Sequence, residues 1–427
     1  MRTSIAIAPG IIVALSLFTF FSPALAQKYT LTPSLSVSET YDDNIYLDPQ
    51  DEQSDYITAI SPGISLNMAS PRSELLLTYV PSFVFYSKNS EENTTRHLGS
   101  VTYRQDIEQH LKFEFTDTYV RSEEPLETTE GIETVRRTRN PYQRNTGEAR
   151  MSYLFGPEDS FTAGYRNDLL INEDPSLEDG TIHEPFADFI KWFDKRHGMG
   201  LSYRYSVGDF DRDDDAPTSD YTGHDPAVRY LHRVDPQLSG YLSYAYTTRD
   251  FDNTIFREDY DVHTAMVGVE KLFSAQASLT AAVGYFIQEA ERSDNESGPA
   301  YNVFFRQAYQ RGRFLVGVAG GWDEQYLEAE NRGFVEYRSY EASGEYQFLE
   351  KLSGYAGALY REDMYKQVDI DTDTWRANAG LRWAFHRYVS LMFDYTYSTR
   401  DSDDPDDEYD NNRFMVILTG SKPYVWQ

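Results

Sequence analysis

The stretch WRANAGLRWAF, at residues 375–385, decides the fold class. Every second residue in it is apolar, and both arginines belong to the other set. In a helix, Trp375, Asn378 and Arg382 would share one face, which is not the stripe of a core helix. In a β-strand, side chains alternate between two faces, so all six apolar residues point the same way. The stretch therefore predicts a strand with an apolar medium on one side and water on the other.

The same alternation recurs along most of the chain, most clearly at residues 199–207, 277–287 and 391–397. Short turns and long acidic loops alternate between these segments, which is the layout of outer-membrane barrels. The short turns lie at residues 69–72, 107–109, 156–159, 193–197, 234–237, 273–276, 311–313, 349–351 and 386–387. Nine such turns join ten hairpins and predict 20 strands. Two segments, 183–193 and 223–234, alternate weakly, which leaves 18 strands as the alternative.

The N-terminal region has the features of a secretory signal peptide. Arg2 gives a positive start, and the apolar run from Ile11 to Phe21 is too short to span a bilayer. Ala24 and Ala26 form an A-x-A cleavage site, so the mature chain is expected to start at Gln27. Residues 1–26 are thus predicted to be a signal peptide, residues 27–427 the barrel, and the protein an exported one.

The composition excludes several classes of protein. With 69 acidic and 39 basic residues, the net charge is −30, which argues against binding to nucleic acid. Disorder is inconsistent with 34 Tyr, 25 Phe and 5 Trp. There is no cysteine, so extensive strand pairing must hold the chain together. A large periplasmic β-protein and a barrel in the outer membrane remain.

Charged residues in the middle of strands favour the membrane barrel. A soluble sandwich would have to bury them in its core at a high cost, whereas a water-filled lumen accommodates them. A β-helix or propeller would show a fixed repeat, and none is present. Aromatic residues near strand ends predict a lipid-facing girdle. Its members are Trp322, Trp375, Trp383, Phe385, Tyr395 and Tyr397. We therefore expect an all-β protein, a single transmembrane antiparallel up-and-down barrel, ending in a strand at Arg413–Ser421 and a short tail.

Four segments of the N-terminal region resemble a known family. They are SVSETYDDNIYL (36–47), SDYITAISPGISLN (54–67), LLLTYVPSFVFYSKN (75–89) and NTTRHLGSVTYR (93–104). This region is similar to a family of outer-membrane β-barrel porins associated with exopolysaccharide production and with PEP-CTERM protein sorting. The resemblance implies a role in exporting or assembling a surface polysaccharide, with periplasmic export proteins as partners. It implies no catalytic residues.

Two groups of arginines are candidate functional residues. The first is a set of predicted pore-lining residues, Arg104, Arg150, Arg166, Arg204, Arg376 and Arg382. They would either guide a polyanion or pair with wall carboxylates across strands. The second group, Arg136, Arg137 and Arg139, ends the longest loop, around residues 122–142. These residues would either form a constriction in the lumen or pair with acidic loops or lipopolysaccharide phosphates.

The acidic loops raise the question of a metal. Asp401, Asp403, Asp404, Asp406, Asp407 and Glu408 supply oxygen ligands of the kind that Ca²⁺ prefers. Their spacing does not match an EF-hand, so a solvated loop is the simpler interpretation, and we expect no cofactor and no dedicated metal site. Tyr41 to Asn44 reads as a turn, because Asp and Asn side chains bond to local backbone.

No enzyme motif is present: the chain has neither G-x-S-x-G nor H-E-x-x-H, and no Gly-rich phosphate loop. We predict a porin-like protein, not an enzyme, in the outer membrane of a Gram-negative bacterium. It would contact membrane lipid and lipopolysaccharide and pass or export a surface exopolysaccharide or another hydrophilic solute. A structural or adhesive protein with a closed lumen is the main alternative, and an outer-membrane hydrolase is a remote one.

Overall fold

The computed structural model describes residues 28–129, 132–136, 138–212, 217–254, 257–366 and 368–426. The predicted cleavage residues Ala24, Ala26 and Gln27, and also Arg137, lie outside the described residues. Most of the described chain is β-strand, and two single-turn 3-10 helices lie at Ser90–Glu92 and Pro405–Asp407. In this part of the chain, no helix is long and apolar enough to span a membrane.

The strands in chain order are β1 (Lys28–Asp42), β2 (Asp55–Ala69), β3 (Ser73–Tyr86), β4 (Thr94–Glu108), β5 (Leu111–Ser122), β6 (Leu126–Thr129), β7 (Ile132–Val135), β8 (Tyr142–Leu154), β9 (Ser160–Asn172), β10 (Asp179–Trp192), β11 (His197–Asp211), β12 (Tyr221–Asp235), β13 (Leu238–Phe251), β14 (Tyr260–Ser274), β15 (Ala277–Ala290), β16 (Glu296–Tyr309), β17 (Gly312–Gln325), β18 (Gly333–Leu349), β19 (Leu352–Tyr365), β20 (Ile370–His386), β21 (Val389–Ser402), β22 (Tyr409–Ser421) and β23 (Tyr424–Trp426).

Twenty of these strands form a closed antiparallel barrel, β1–β5 and β8–β22. Each pairs with its neighbours in sequence, and β1 pairs with β22 to close the wall. The predicted strand number of 20 is confirmed, and both weakly alternating segments form full strands, β10 and β12. All nine short turns lie on one rim, because each joins a strand that arrives there to one that leaves. Wall strands of 12 to 17 residues exceed the ~10 residues that a tilted strand needs to cross a bilayer.

Residues 375–385 lie in β20 and show which side chains face outward from the wall. Trp375 is 52% exposed on the outer face and packs against Tyr360 of β19, with ring centroids 4.6 Å apart. Residues directly opposite each other on paired strands share a face. Ala377 and Ala379 are paired with Tyr397 and Tyr395 of β21, so these tyrosines share the outer face with Trp375. The alternation of a single strand therefore continues around the wall as an apolar outer surface.

The C-terminal residues differ from expectation. The last wall strand begins at Tyr409 rather than Arg413, and the predicted tail is not free. After Pro423, which cannot donate a backbone hydrogen bond, pairing with β1 resumes in β23, and the Trp426 ring stacks on Tyr29 at 5.7 Å. The break at the proline is thus an interruption within the wall and not the end of it.

Side chains from the two ends of the chain fasten the seam between β1 and β22. The motif Tyr-Asp-Asp-Asn at 41–44 meets the related Tyr-Asp-Asn-Asn that begins β22. Asn412 donates from its backbone N and its Nδ2 to the two carboxylate oxygens of Asp43, over 2.7 and 2.8 Å. Beside this pair, Asn411 Nδ2 donates to Asp42 Oδ1 over 2.6 Å. The motif therefore joins the two ends of the chain, beyond the local turn expected from its composition.

Removing the Asp43 side chain, which joins β22 to the residues after β1, is expected to lower the stability of the whole barrel. Asp43→Ala leaves two donors of Asn412 without their partner, so the free energy of unfolding should fall by about 1–3 kcal/mol. Urea unfolding followed by heat-modifiable electrophoretic mobility measures it. Asp51→Ala, at an exposed position in the same loop, is the control. Equal urea midpoints for the two variants would show that the pairing of β1 with β22 does not depend on the bonds between Asp43 and Asn412.

Candidate functional site

Glu114 on β5 holds two of the predicted pore-lining arginines. Arg150 Nε donates to Glu114 Oε2 over 2.6 Å, and Arg104 Nε lies 3.4 Å from Glu114 Oε1. The arginine side chains are nevertheless 48% and 62% exposed. They lie on the face opposite Met151 and Tyr153, which are exposed on the outer surface. The inner wall is accessible to solvent here, as a water-filled lumen requires.

Farther around the wall, Glu184 on β10 lies between two more of these arginines. Arg166 Nε is 3.9 Å from Glu184 and donates to Asp168 over 2.7 Å. Arg204 Nε is 4.0 Å from Glu184, and its side chain is 51% exposed. Each of the four arginines on this side of the barrel thus has a carboxylate within 4.0 Å. The arrangement is a set of ion pairs and not a continuous cationic ladder.

The remaining two arginines lie on β20. Arg376 lines a cavity of about 190 Å³ together with Glu124 and Leu126 from the loop after β5. Arg382, on the same face of the strand, lies with its guanidinium 6.0 Å from the centre of the Tyr355 ring. All six arginines therefore lie on the inner side of the wall, but in three separate groups.

The loop of residues 123–141, here called the hairpin loop, folds into the barrel. It contains β6 and β7, and its Leu126 and Val135 pack with Leu47 and with Tyr409 of β22. Strand β22 is a neighbour of neither β5 nor β8 in the wall. The contact is therefore made inside the barrel, as expected for a constriction loop.

The arginines of the hairpin loop hold it in place. Arg136 is only 2% exposed and donates to Glu127 over 2.7 Å within the same loop. Arg139, also buried, donates from Nε to the backbone oxygen of Ile45 over 2.7 Å. Arg137 lies outside the described residues. Arg136 and Arg139 are enclosed by protein partners, so the structure places them as anchors of the loop rather than as cations facing a passing solute.

A second loop, residues 326–332 between β17 and β18, crosses the lumen and is called the crossing loop here. Its first two residues, Tyr326 and Leu327, belong to a buried aromatic and aliphatic cluster. The other members are Phe334, which follows the loop on β18, then Phe286, Val262, Tyr260 and Phe251 from β15, β14 and β13, and, from across the barrel, Tyr221, Phe210, Leu170 and Tyr142 of β12, β11, β9 and β8. At its other end, Glu330 accepts from Arg400 of β21 over 2.8 Å, and Asn331 donates to Ser219 over 3.0 Å.

Arg144 on β8 joins the two infolded loops. Its Nε donates to Glu127 of the hairpin loop, and its Nη2 donates to the backbone oxygen of Leu327 in the crossing loop, both over 2.6 Å. Arg144 and Leu327 are 183 residues apart in sequence. The interior is therefore narrowed by two loops, whereas the sequence suggested one infolded loop, and only as one of two alternatives.

The sequence gives little sign that the crossing loop folds inward. Its residues, YLEAENR at 326–332, read as a short acidic connection of the kind expected outside the barrel. An aromatic at the first position is the only local signal, since a buried Tyr needs a partner for its hydroxyl. Tyr326 finds one in the hydroxyl of Tyr260, at 2.7 Å.

The crossing loop contains an acid that titrates near neutrality. Burial, together with the nearby carboxylate of Glu127, raises the pKa of Glu328 to about 7 in spite of the guanidinium of Arg144. An exposed carboxyl releases its proton near pH ~4.3. Between these two pH values the infolded loop holds a proton that a freed loop would release. The infolded position is therefore stabilised at low pH and loses this stabilisation as pH rises to 7.

Conductance should consequently depend on pH. We expect a larger single-channel conductance at pH 8 than at pH 6, because the ionised Glu328 favours withdrawal of the crossing loop. Planar-bilayer recordings at the two pH values measure it. Glu328→Gln keeps the shape and removes the titration, so its conductance should vary much less. A wild-type pH dependence that persists in Glu328→Gln would contradict this assignment.

Below the crossing loop lies a cavity of about 420 Å³. Six carboxylates, four arginines and three aromatic rings line it. The lining residues are Arg144, Arg166, Asp168, Ile182, Glu184, Arg204, Tyr221, Asp225, Thr247, Arg249, Trp322, Asp323, Glu324, Tyr326, Leu327 and Glu328. The volume falls within the range of small-molecule sites in proteins, about 300–1,000 Å³.

Trp322 is not a girdle residue, so its predicted lipid-facing position is wrong. Its Nε1 donates to Thr264 over 3.0 Å, and Thr264 belongs to β14, three strands away from β17. Such a contact is possible only on the inner side of the barrel. The alternation of β17 ends at Gly321, whose φ of 155° favours glycine, and the next side chain lies inside. The other predicted girdle residues, Trp375, Trp383, Phe385, Tyr395 and Tyr397, lie on the outer face.

The acidic loop after β21 is partly folded inward. Asp407 is buried and forms an ion pair with Arg332 of the crossing loop. Its carboxylate is therefore already paired with a guanidinium group of the protein. Among the described residues, no group of three or more His, Cys, Asp or Glu is arranged to hold a metal ion. The expectation of a solvated loop without a dedicated metal site stays a prediction.

These features define a class of protein. An outer surface with side chains such as Val267 and Val283, each 56% exposed, would be a large apolar patch on a soluble protein. Combined with charged, solvent-accessible residues inside, it is typical of a barrel that spans a membrane and surrounds a polar lumen. The chain belongs to the family described as "Putative beta-barrel porin 2", which it matches over residues 26–174 and 211–422. Among curated proteins, none is significantly similar in sequence.

Several solved structures are similar to this chain at low sequence identity, and the first one named here shares its fold. The siderophore receptor PirA from Pseudomonas aeruginosa has a TM-score of 0.52 and 10% identity, over 92% of this chain and 80% of that one. OpdO from Pseudomonas aeruginosa has a TM-score of 0.46 and 10% identity, over 93% and 98%. OccK2 (OpdF) from Pseudomonas aeruginosa, in complex with glucuronate, has a TM-score of 0.44 and 11% identity, over 92% and 98%.

Proposed function

We propose that this protein is a porin of the Gram-negative outer membrane that lets small hydrophilic solutes cross passively. The family match supports a porin, and it points away from an enzyme. The observation that carries the proposal is the accessible, charged inner wall. Arg104, Arg150 and Arg204 expose about half or more of their side chains on the inside of a closed barrel. Such charges are stable there only if water fills the interior.

The two infolded loops support a small solute rather than a polymer. A polysaccharide chain in transit would have to displace both loops together and break the bonds that Arg144 makes to Glu127 and Leu327. Export of an exopolysaccharide, with periplasmic export proteins as partners, therefore stays a prediction. The apolar outer face supports contact with membrane lipid, and the acidic loops on the other rim support an outward position near lipopolysaccharide.

Conductance of purified protein in planar lipid bilayers tests the proposal. A porin gives stable single channels whose conductance rises with salt concentration. A structural or adhesive protein with a closed lumen gives none, and that result would remove the proposed function. Fractionation of cells that express the full chain checks the location, since a soluble periplasmic product would contradict a membrane barrel.

A further inference from the structure

We propose that the cavity below the crossing loop is a binding site for a neutral polyhydroxylated solute, of the size of a mono- or disaccharide. The proposal rests on the porin function above and names the class of solute. Its central residues are Trp322, Arg204 and Glu184, which line one cavity of about 420 Å³. Glu184 and Arg204 lie on the neighbouring strands β10 and β11, whereas Trp322 lies on β17, so only the closed barrel brings the tryptophan to the other two.

Trp322 provides a rigid aromatic surface at this cavity. The Phe334 ring stacks against it at 5.8 Å with 16° between the planes, and the bond from its Nε1 to Thr264 prevents rotation. A fixed indole that lines a polar cavity offers an apolar face to the C–H face of a sugar ring. Since the polar edge of Trp322 already has a partner, the ring contributes stacking rather than a free donor.

The charges of the cavity suit a neutral solute with many hydroxyls. Four arginines and six carboxylates line it, and Arg249 is neutralised by Asp225 at 3.0 Å and Glu324 at 2.8 Å. A hydroxyl can donate to a carboxylate and accept from a guanidinium at the same time, which a hydroxyl-rich ring does repeatedly. An anion would meet the excess of carboxylates, and a bare cation would lack a partner for the arginines.

Arg204 is the arginine best placed to contact such a solute. Its side chain is 51% exposed, and its nearest carboxylate, that of Glu184, is 4.0 Å away, which is beyond a strong hydrogen bond. Guanidinium and carboxylate at this separation can both bond to neighbouring hydroxyls of one ring. By contrast, Arg144 and Arg249 are largely buried in their ion pairs.

Tryptophan fluorescence of the full-length protein in detergent, titrated with maltose, tests the proposal without requiring a conducting channel. We expect a saturable change that is lost in Trp322→Phe and kept in Trp375→Phe, whose tryptophan lies on the outer face. Arg204→Ala should weaken maltose binding roughly tenfold, the effect of losing one charge-assisted hydrogen bond. The fold of each variant is checked by heat-modifiable mobility.

Three results would overturn the site: no saturable change with maltose, a change that persists in Trp322→Phe, or tighter binding of glucuronate or glucosamine than of maltose. Failure of the porin function is a separate result, because it shows as absence of channels in bilayers. Channels that conduct salt but bind no maltose would leave the porin and remove the saccharide site. Maltose binding without channels would keep the site and remove passive transport.

Discussion

Replacing residues 327–331 of the crossing loop with a Gly-Ser linker of equal length is expected to raise the single-channel conductance severalfold. The change removes Leu327 from the buried cluster and Glu330 from its bond to Arg400, at 2.8 Å. It also removes the acid that titrates near pH 7. The linker has no side chains to pack across the lumen and loses less entropy outside it than inside. The crossing loop should therefore leave the interior, and the channel should widen.

A matched control exists in the same rim of the barrel. Residues 291–295, between β15 and β16, form an exposed loop of the same length. The same linker there should leave the conductance unchanged. Single-channel recordings of both variants at one pH, with the folded fraction checked beforehand, decide the matter. An unchanged conductance in a folded 327–331 variant would show that the crossing loop does not narrow the path.

The second large effect, on stability, is expected at Glu124, near the start of the hairpin loop. Glu124 lies 2.5 Å from Arg96 of β4 and 3.3 Å from Arg413 of β22, so it joins two strands on opposite sides of β1–β3. Burial by itself would raise the pKa of Glu124, but the guanidinium groups of Arg413, Arg96 and Arg139 lower it well below its ordinary value. The ionised carboxylate is therefore part of the folded state.

Glu124→Ala should lower the free energy of unfolding by about 3 kcal/mol, because it leaves two guanidinium groups without this partner in a poorly hydrated place. Glu52→Ala, at an exposed position in the loop after β1, should be neutral. Because the folded pKa is lowered, the contribution of Glu124 is present above pH ~4.3 and is lost as pH falls below it. Urea unfolding of both variants and the wild type at pH 7 and pH 4 measures both effects. A Glu124→Ala midpoint equal to that of Glu52→Ala would show that the cluster is not stabilising.

The wall of the barrel could be predicted almost completely. Alternation is a property of each strand alone, and a closed sheet has no other way to place Trp375 and Leu381 than outward when Arg376 and Arg382 need water. The exceptions were β10 and β12: both alternate weakly, and β12 contains Pro226, so 18 strands remained the alternative to 20. The turn positions could be predicted equally well, because each turn interrupts the alternation of apolar and polar residues.

The residues of the interior were harder to place. For Arg136 and Arg139 the sequence left open a constriction in the lumen or pairing with acidic groups, because the positions of Glu127 and of the backbone of Ile45 do not follow from alternation. Trp322 was assigned to the wrong face because the alternation of β17 was assumed to continue past Gly321, where the φ of 155° interrupts it. The open alternatives and the one error both concern residues whose position is decided by side-chain contacts and not by the alternation of a strand.

The primary structure therefore defines a barrel of 20 strands with an apolar exterior, because the period of two and the turns that break it are written into neighbouring residues. The arrangement of the loops inside that barrel depends on contacts between residues that come together only when the barrel closes. Asp43 meets Asn412 across 369 residues, and Arg144 meets Leu327 across 183. Such contacts leave no periodic trace in the chain, since each is specified by three-dimensional position and by the partner that satisfies a buried polar group.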